Sequence, residues 1–248
     1  MTRSFRFILA APLALALAAC GNGASDDGEV SLEGEAIAPI EAPDGASWLE
    51  TASVTEEGGF VIGNPDAPLK LVEYASHTCG ACANFAVNGS APLQEEYVET
   101  GIVSYEIRPL LRDPLDVTIS TLARCGSPES FHALADQAWA ALPEFTGALQ
   151  SNGSAYEAAV TAPPEQRFAR LAEAAGLIDF FAARGISADQ ARTCLADSEA
   201  ITAMAEKSSS VATEAGVNAT PTFFLNGQRI DGTQWNVLEP ILQRAGAR

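Results

Sequence analysis

Two cysteines spaced two residues apart, Cys79-Gly80-Ala81-Cys82, carry the most chemical content in this 248-residue sequence. They follow an apolar run, Leu69-Lys70-Leu71-Val72-Glu73-Tyr74, that reads as a buried strand, and they open a stretch to Glu99 that reads as a helix broken at Pro92. A helix start offers unpaired backbone N–H groups and the positive end of the macrodipole, so a cysteine there is placed to exist as a thiolate. The second cysteine, one turn further in, can attack a mixed disulfide formed at the first and release its partner. The spacing therefore points to a dithiol–disulfide redox couple. A zinc site would need a second ligand pair, whereas Cys125 and Cys194 stand alone and the only histidines are His77 and His132. A structural disulfide and a pair of inert buried thiols are the remaining readings.

The residues before the pair suggest where such chemistry would take place. Arg3 and Arg6 precede an uncharged apolar run from Phe7 to Ala19, the layout of a secretory signal and too short for a transmembrane span. Leu17-Ala18-Ala19-Cys20-Gly21 then looks like the lipobox of bacterial lipoproteins, with 1–19 as signal peptide and Cys20 as the lipidated residue. The alternative is a plain signal peptide with an incidental cysteine. With Cys20 set aside four cysteines remain, and an even number in an exported chain suggests two disulfides. Losing the two signal arginines and no acids takes the net charge from −18 to −20. Such acidity argues against nucleic acid or anionic lipid as partners and suits a soluble exported protein.

The elements that must position the pair follow from the pattern. Residues 20–58 are rich in Gly, Ala, Pro, Ser and acids and read as a flexible tether, with a short helix at Trp48-Leu49. Phe60-Val61-Ile62 is a short strand, and Ile102 to Ile107 alternates like one, completing a strand–helix–strand unit. From about Leu115 to Gly216 the text is alanine-rich and helical. Strand text resumes at Thr222-Phe223-Phe224-Leu225, with the hairpin signal Asn226-Gly227, then Gln228-Arg229-Ile230 and an amphipathic helix from Thr233. The reading is an α/β domain in two parts, 59–113 and 206–248, interrupted by a helical domain at 114–205.

Three stretches carry a family likeness: Gly63-Asn64-Pro65-Asp66-Ala67-Pro68, Glu73-Tyr74-Ala75-Ser76-His77-Thr78-Cys79-Gly80-Ala81-Cys82, and Gly216-Val217-Asn218-Ala219-Thr220-Pro221-Thr222-Phe223-Phe224-Leu225-Asn226-Gly227. From Phe60 onward the chain resembles the DsbA-like branch of the thioredoxin superfamily. The resemblance implies a thioredoxin fold, a central mixed sheet flanked by helices with an inserted all-helical domain. It implies Cys79 as nucleophile, Cys82 as resolving cysteine, and a cis peptide before Pro221 that sets Thr220 and Pro221 against the sulfurs, the alternative being an ordinary trans Thr-Pro turn before a strand. Glu73 matches an acidic residue under the active site that could move the Cys82 proton, the alternative being a glutamate at the strand's edge. Cys125 and Cys194 are read as a structural disulfide, as in some members, with two free thiols as the alternative. Strongly oxidising members often have a histidine between the cysteines. Here Gly80-Ala81 stand instead, and His77 is either a source of positive charge or merely solvated.

The function expected is an extracytoplasmic thiol-disulfide oxidoreductase on the periplasmic side of a bacterial membrane. It would oxidise unfolded or partly folded exported proteins and be reoxidised by a membrane redox partner. It would act as a monomer and need no metal or organic cofactor, because the Cys79–Cys82 disulfide is itself the redox group. The rivals are a reductase or isomerase kept reduced by a membrane donor, and a non-catalytic holdase that binds extended peptides.

Overall fold

A computed structural model of the chain describes residues 32–248. The signal run 1–19, the lipidation site Cys20 and the first part of the expected tether lie outside the described residues.

The strands are β1 (Ala52–Val54), β2 (Phe60–Ile62), β3 (Leu69–Ala75), β4 (Val103–Pro109), β5 (Thr222–Leu225) and β6 (Gln228–Ile230). They form one mixed sheet in the order β1-β2-β4-β3-β5-β6, in which only β3 and β4 are parallel. A parallel pair needs a crossover, and the helix after β3 supplies it. Between β5 and β6, Asn226 and Gly227 both have positive φ, 50° and 82°, as the two-residue hairpin turn requires.

The crossover comprises α1 (Gly80–Phe85), a π-helical turn at Ala86–Ser90, α2 (Ala91–Leu93) and a second π-helical turn at Gln94–Val98. The expected break at Pro92 is absent. Proline has no N–H and its ring crowds the carbonyl four residues back; wider turns on either side accommodate both, so the rod continues.

Between β4 and β5 lie only helices: α3 (Pro114–Ala123), α4 (Pro128–Ala140), α5 (Leu142–Ser151), α6 (Gly153–Val160), α7 (Pro164–Ala174), α8 (Leu177–Ala182), α9 (Ala188–Ala196) and α10 (Ser198–Glu214). The expected boundary at 205 falls inside α10. No stop signal occurs before Gly216, which takes a φ of +64° just past the helix end. The last turns of α10 already belong to the sheet, for Ala212 and Val217 pack on Tyr74 of β3. The chain ends in α11 (Trp235–Arg244).

One continuous core unites these parts. Leu71, Val103, Tyr105 and Phe223 of the sheet meet Phe85 and Leu93 of the crossover and Leu122, Phe131 and Trp139 of the inserted helices. Each such apolar side chain contributes about 1.5–3 kcal/mol by leaving water.

Residues 32–58 depart most from expectation. In place of a tether they form a strap on the domain, followed by β1 and the turn into β2. The Gly34 N–H donates to Arg244 O at 2.8 Å, that of Ile37 to Gly246 O at 2.9 Å, and that of Ile40 to Thr100 O at 2.8 Å. Trp48, in a short 3-10 turn, is buried, and its indole donates to Ile40 O at 2.7 Å. Two glycines allow the close approach: a Cβ would come within 2.4 Å of Ala245 O at Gly34 and of Ile40 O at Gly101. A segment held by backbone groups needs no apolar periodicity, which is why its composition reads as a linker.

Candidate active site

Cys79 is the N-cap of α1, with an extended backbone (φ −87°, ψ 114°), and its sulfur accepts the Cys82 N–H at 3.3 Å. The chain leaves β3 through Ser76-His77-Thr78, and the Cys79 N–H donates to Ser76 O at 3.1 Å, closing a turn that delivers the sulfur to the helix start. Across from it the Thr220–Pro221 peptide is cis, and Thr220 O lies 3.2 Å from the Cys79 sulfur. Two segments 141 residues apart therefore meet at one atom.

Both cysteines stand as free thiols, and their surroundings differ. Cys79 is 4% exposed and Cys82 not at all, so an incoming group reaches Cys79 first. Hydrogen bonding from the Cys82 side chain, helped by the Thr220 side chain and the backbone at Cys82 and Ala81, holds the Cys79 thiol down to about 5 against the effect of burial. Burial, the hydrogen bond to Cys79 and the nearby Glu73 push Cys82 far above the usual thiol range. One sulfur is therefore a ready nucleophile and leaving group, and the other is held as a thiol.

Glu73 lies in the sheet interior, not at an edge. One carboxylate oxygen accepts from the Tyr105 hydroxyl and the other has no partner. Burial pushes its carboxyl up to about 8, against the Tyr105 hydrogen bond and with a smaller push from Asp136 and Cys79. At neutral pH such a group is mostly protonated and within electrostatic reach of both sulfurs.

His77 is not solvated. Its ring is buried, stacks on Trp139 with centroids 4.7 Å apart, and pairs through Nδ1 with the Ser120 hydroxyl at 3.0 Å. His132 is a structural tie, its Nε2 2.9 Å from Phe60 O, and burial holds it down to about 4. Cys125 and Cys194 are bonded, Cα atoms 6.1 Å apart, joining the end of α3 to α9. Among the described residues no group of three or more His, Cys, Asp or Glu side chains could hold a metal ion, and no helix is long and apolar enough to cross a membrane.

Three residues that shape the site went unread in the sequence. Tyr105 partners Glu73, and Asp113 and Asp116 hold the turn before Cys79. Asp113-Pro114 is a helix-start signature, visible in principle, but nothing local says that the turn before Cys79 packs against it.

A family model described as thioredoxin matches residues 55–243. Among curated relatives, a "Putative protein-disulfide oxidoreductase" of Rickettsia bellii is 24% identical over 79% of this chain and 69% of its own length. A second from Rickettsia conorii, of the same description, is 25% identical over 77% of this chain and 61% of its own. The chain thus spans roughly two thirds of the length of these relatives. Among solved structures, a protein-disulfide isomerase from Novosphingobium aromaticivorans is 29% identical with a TM-score of 0.70, covering 76% of this chain and 97% of that one. The alpha-DsbA1 of Wolbachia pipientis, at 18% identity and a TM-score of 0.62, covers 78% of this chain and 93% of that one and shares the fold.

Proposed function

The chain belongs to the thioredoxin family, among its DsbA-like protein-disulfide oxidoreductases, and from that premise we propose that it introduces disulfide bonds into exported proteins through Cys79 and Cys82. The observation that carries this reading is the unequal setting of the two sulfurs: Cys79 caps α1 and accepts the Cys82 N–H at 3.3 Å beside Thr220, while Cys82 is fully buried behind it, which holds Cys79 down to about 5 and pushes Cys82 far up. A stabilised thiolate favours the reduced pair, and a pair that favours its reduced form is an oxidant as a disulfide.

In the proposed cycle a substrate thiolate attacks Cys79 in the Cys79–Cys82 disulfide. The Cys79–Cys82 bond breaks, a substrate–Cys79 bond forms, and Cys82 leaves with the electron pair. Because Cys82 is buried and poor as an anion, it takes a proton, and the neutral Glu73 carboxyl is the group placed to give it. A second substrate thiolate then attacks the substrate sulfur of the mixed disulfide and expels Cys79, which is stable as a thiolate. The substrate has lost two electrons and the pair has gained them. Thr220 and Pro221 lie against Cys79, where an extended substrate backbone would run.

In this reading the protein works outside the cytoplasm, tethered by lipid at Cys20, and a membrane redox partner removes the electrons. The substrates are thiol-bearing, incompletely folded exported chains, met by a monomer that carries its redox group in its own side chains.

A second reading, isomerase action, is favoured by the 29% identical protein-disulfide isomerase from Novosphingobium aromaticivorans. The equilibrium reduction potential of the full-length chain against glutathione separates the two. A value near −120 mV, roughly that of the strongest oxidants, supports disulfide donation; about −180 mV supports the isomerase and about −270 mV a reductase. A Cys79→Ser/Cys82→Ser variant that still suppresses substrate aggregation, beside a wild type that transfers no disulfides, would leave a holdase.

A further inference from the structure

Asp116, in the first turn of α3, is fully buried, and the exchange cycle makes no use of it. Its Oδ1 accepts the His77 N–H at 2.8 Å and lies 3.5 Å from the Ser120 hydroxyl. Its Oδ2 accepts the Ser76 hydroxyl at 2.6 Å and the Arg112 N–H at 3.0 Å. Ser76 and His77 belong to the turn that leads from β3 into Cys79. Arg112 belongs to the segment after β4, which faces Asn218, Ala219 and Thr220 across a cleft of about 340 Å³. One carboxylate therefore ties the turn that delivers the reacting sulfur to the segment that faces Thr220.

The surrounding bonds make this a built arrangement. Ser76 O accepts from both the Cys79 N–H at 3.1 Å and the Trp139 indole at 2.9 Å. The Thr78 hydroxyl donates to Asp113 at 2.6 Å, and Asp113 caps α3 by accepting the Asp116 N–H at 3.0 Å. The contrast with Glu73 separates the roles of two equally buried acids. Glu73 has an oxygen with no partner and can exchange a proton, whereas both oxygens of Asp116 are occupied by donors and serve to hold backbone.

We propose that Asp116 is a positioning residue for Cys79: by holding residues 76–78 against 110–112 it places the sulfur at the N–H donors of the α1 start, beside Thr220. The proposal rests on Cys79 being the reacting sulfur. Donor distances decide how strongly a thiolate is favoured, so slackening this turn should weaken the thiolate even though Asp116 never touches it.

The test compares wild type with Asp116→Asn and Ser76→Ala in the full-length, reduced protein. The thiolate absorbance of Cys79 is titrated with pH, and its rate with a small aromatic disulfide is measured. Asp116→Asn keeps the shape but replaces an acceptor with an NH₂ group. The expected result is a midpoint about one pH unit higher and a rate about tenfold lower below that midpoint. Ser76→Ala should move both in the same direction by less, and the double variant should do no more than Asp116→Asn alone, because both changes break one link. A lowered denaturation midpoint with titration and rate unchanged would make Asp116 a structural cap and overturn the proposal. If Asp116→Asn does not fold, Ser76→Ala decides alone: a raised midpoint supports, an unmoved one overturns. Exchange that survives Cys79→Ser would instead sink the functional reading, whatever Asp116 does.

Discussion

The Tyr105 hydroxyl donates to one oxygen of the Glu73 carboxylate inside the sheet, and the other oxygen has no partner. The parallel register explains the meeting. Leu71 pairs with Tyr105 and Glu73 with Ile107, so Glu73 and Tyr105 lie two residues apart along the same face of neighbouring strands.

This pairing sets a pH dependence of stability. Burial raises Glu73 from 4.5 to about 8 in the folded chain. A raised carboxyl is tolerated neutral and penalised when ionised, so its stability is whole below about 4.5 and lost as pH rises through about 8. The span corresponds to something on the order of 5 kcal/mol. In the Cys79–Cys82 disulfide form neither cysteine titrates. There, urea unfolding should show wild-type stability falling between pH 5 and 8.5 relative to Glu73→Gln. Parallel curves for the two proteins would mean that Glu73 ionises without penalty.

The reduced protein should show the opposite trend from Cys79. Its thiol falls from 9.0 to about 5 on folding, so the stability it supplies is complete above about 9 and lost as pH falls through about 5. The gap between reduced and oxidised stability should therefore widen from pH 5 to pH 9. Thr220→Val removes the side-chain hydroxyl beside Cys79 that favours the thiolate and should raise the titration midpoint of Cys79 by about half a unit, read from thiolate absorbance. A gap that stays constant with pH would show that Cys79 ionises alike in both the folded and unfolded states.

The Cys125–Cys194 bond closes a loop of 69 residues well away in sequence from the redox pair. Replacing both cysteines by serine should cost about 4 kcal/mol by the chain-entropy argument, seen as a lower denaturation midpoint. The reduction potential of Cys79–Cys82 should stay within about 15 mV of wild type, a factor of about three in the equilibrium constant. A larger change would tie the second disulfide to the redox function.

What could be read in the sequence followed from how local each feature is. Cys79 and Cys82 with the preceding strand and the Asn226-Gly227 hairpin are contiguous patterns whose meaning does not depend on the rest of the chain, whereas the Thr220–Pro221 loop is legible only through the family resemblance. Tyr105 and Asp116 act on residues 32 and 40 positions away, and only strand register and the packing of α3 bring them there. The burial of His77, against the solvated alternative, is hidden for the same reason, since it depends on Trp139, 62 residues on. The run through Pro92 misled because proline speaks for a break, while the π-helical turns that absorb it leave no mark in composition. The strap was hidden because its bonds are made by backbone groups.

That strap yields the last prediction. Trp48 buries its ring and ties the chain to Ile40, and Gly101, at a φ of +73°, leaves room for both. Trp48→Ala should therefore cost about 3 kcal/mol, as large-to-small changes at buried aromatic sites do. The loss should be local: limited proteolysis should cut the variant between residues 32 and 51 well before β2, while wild type resists there. Equal proteolysis of wild type and variant would mean that the segment is a tether after all.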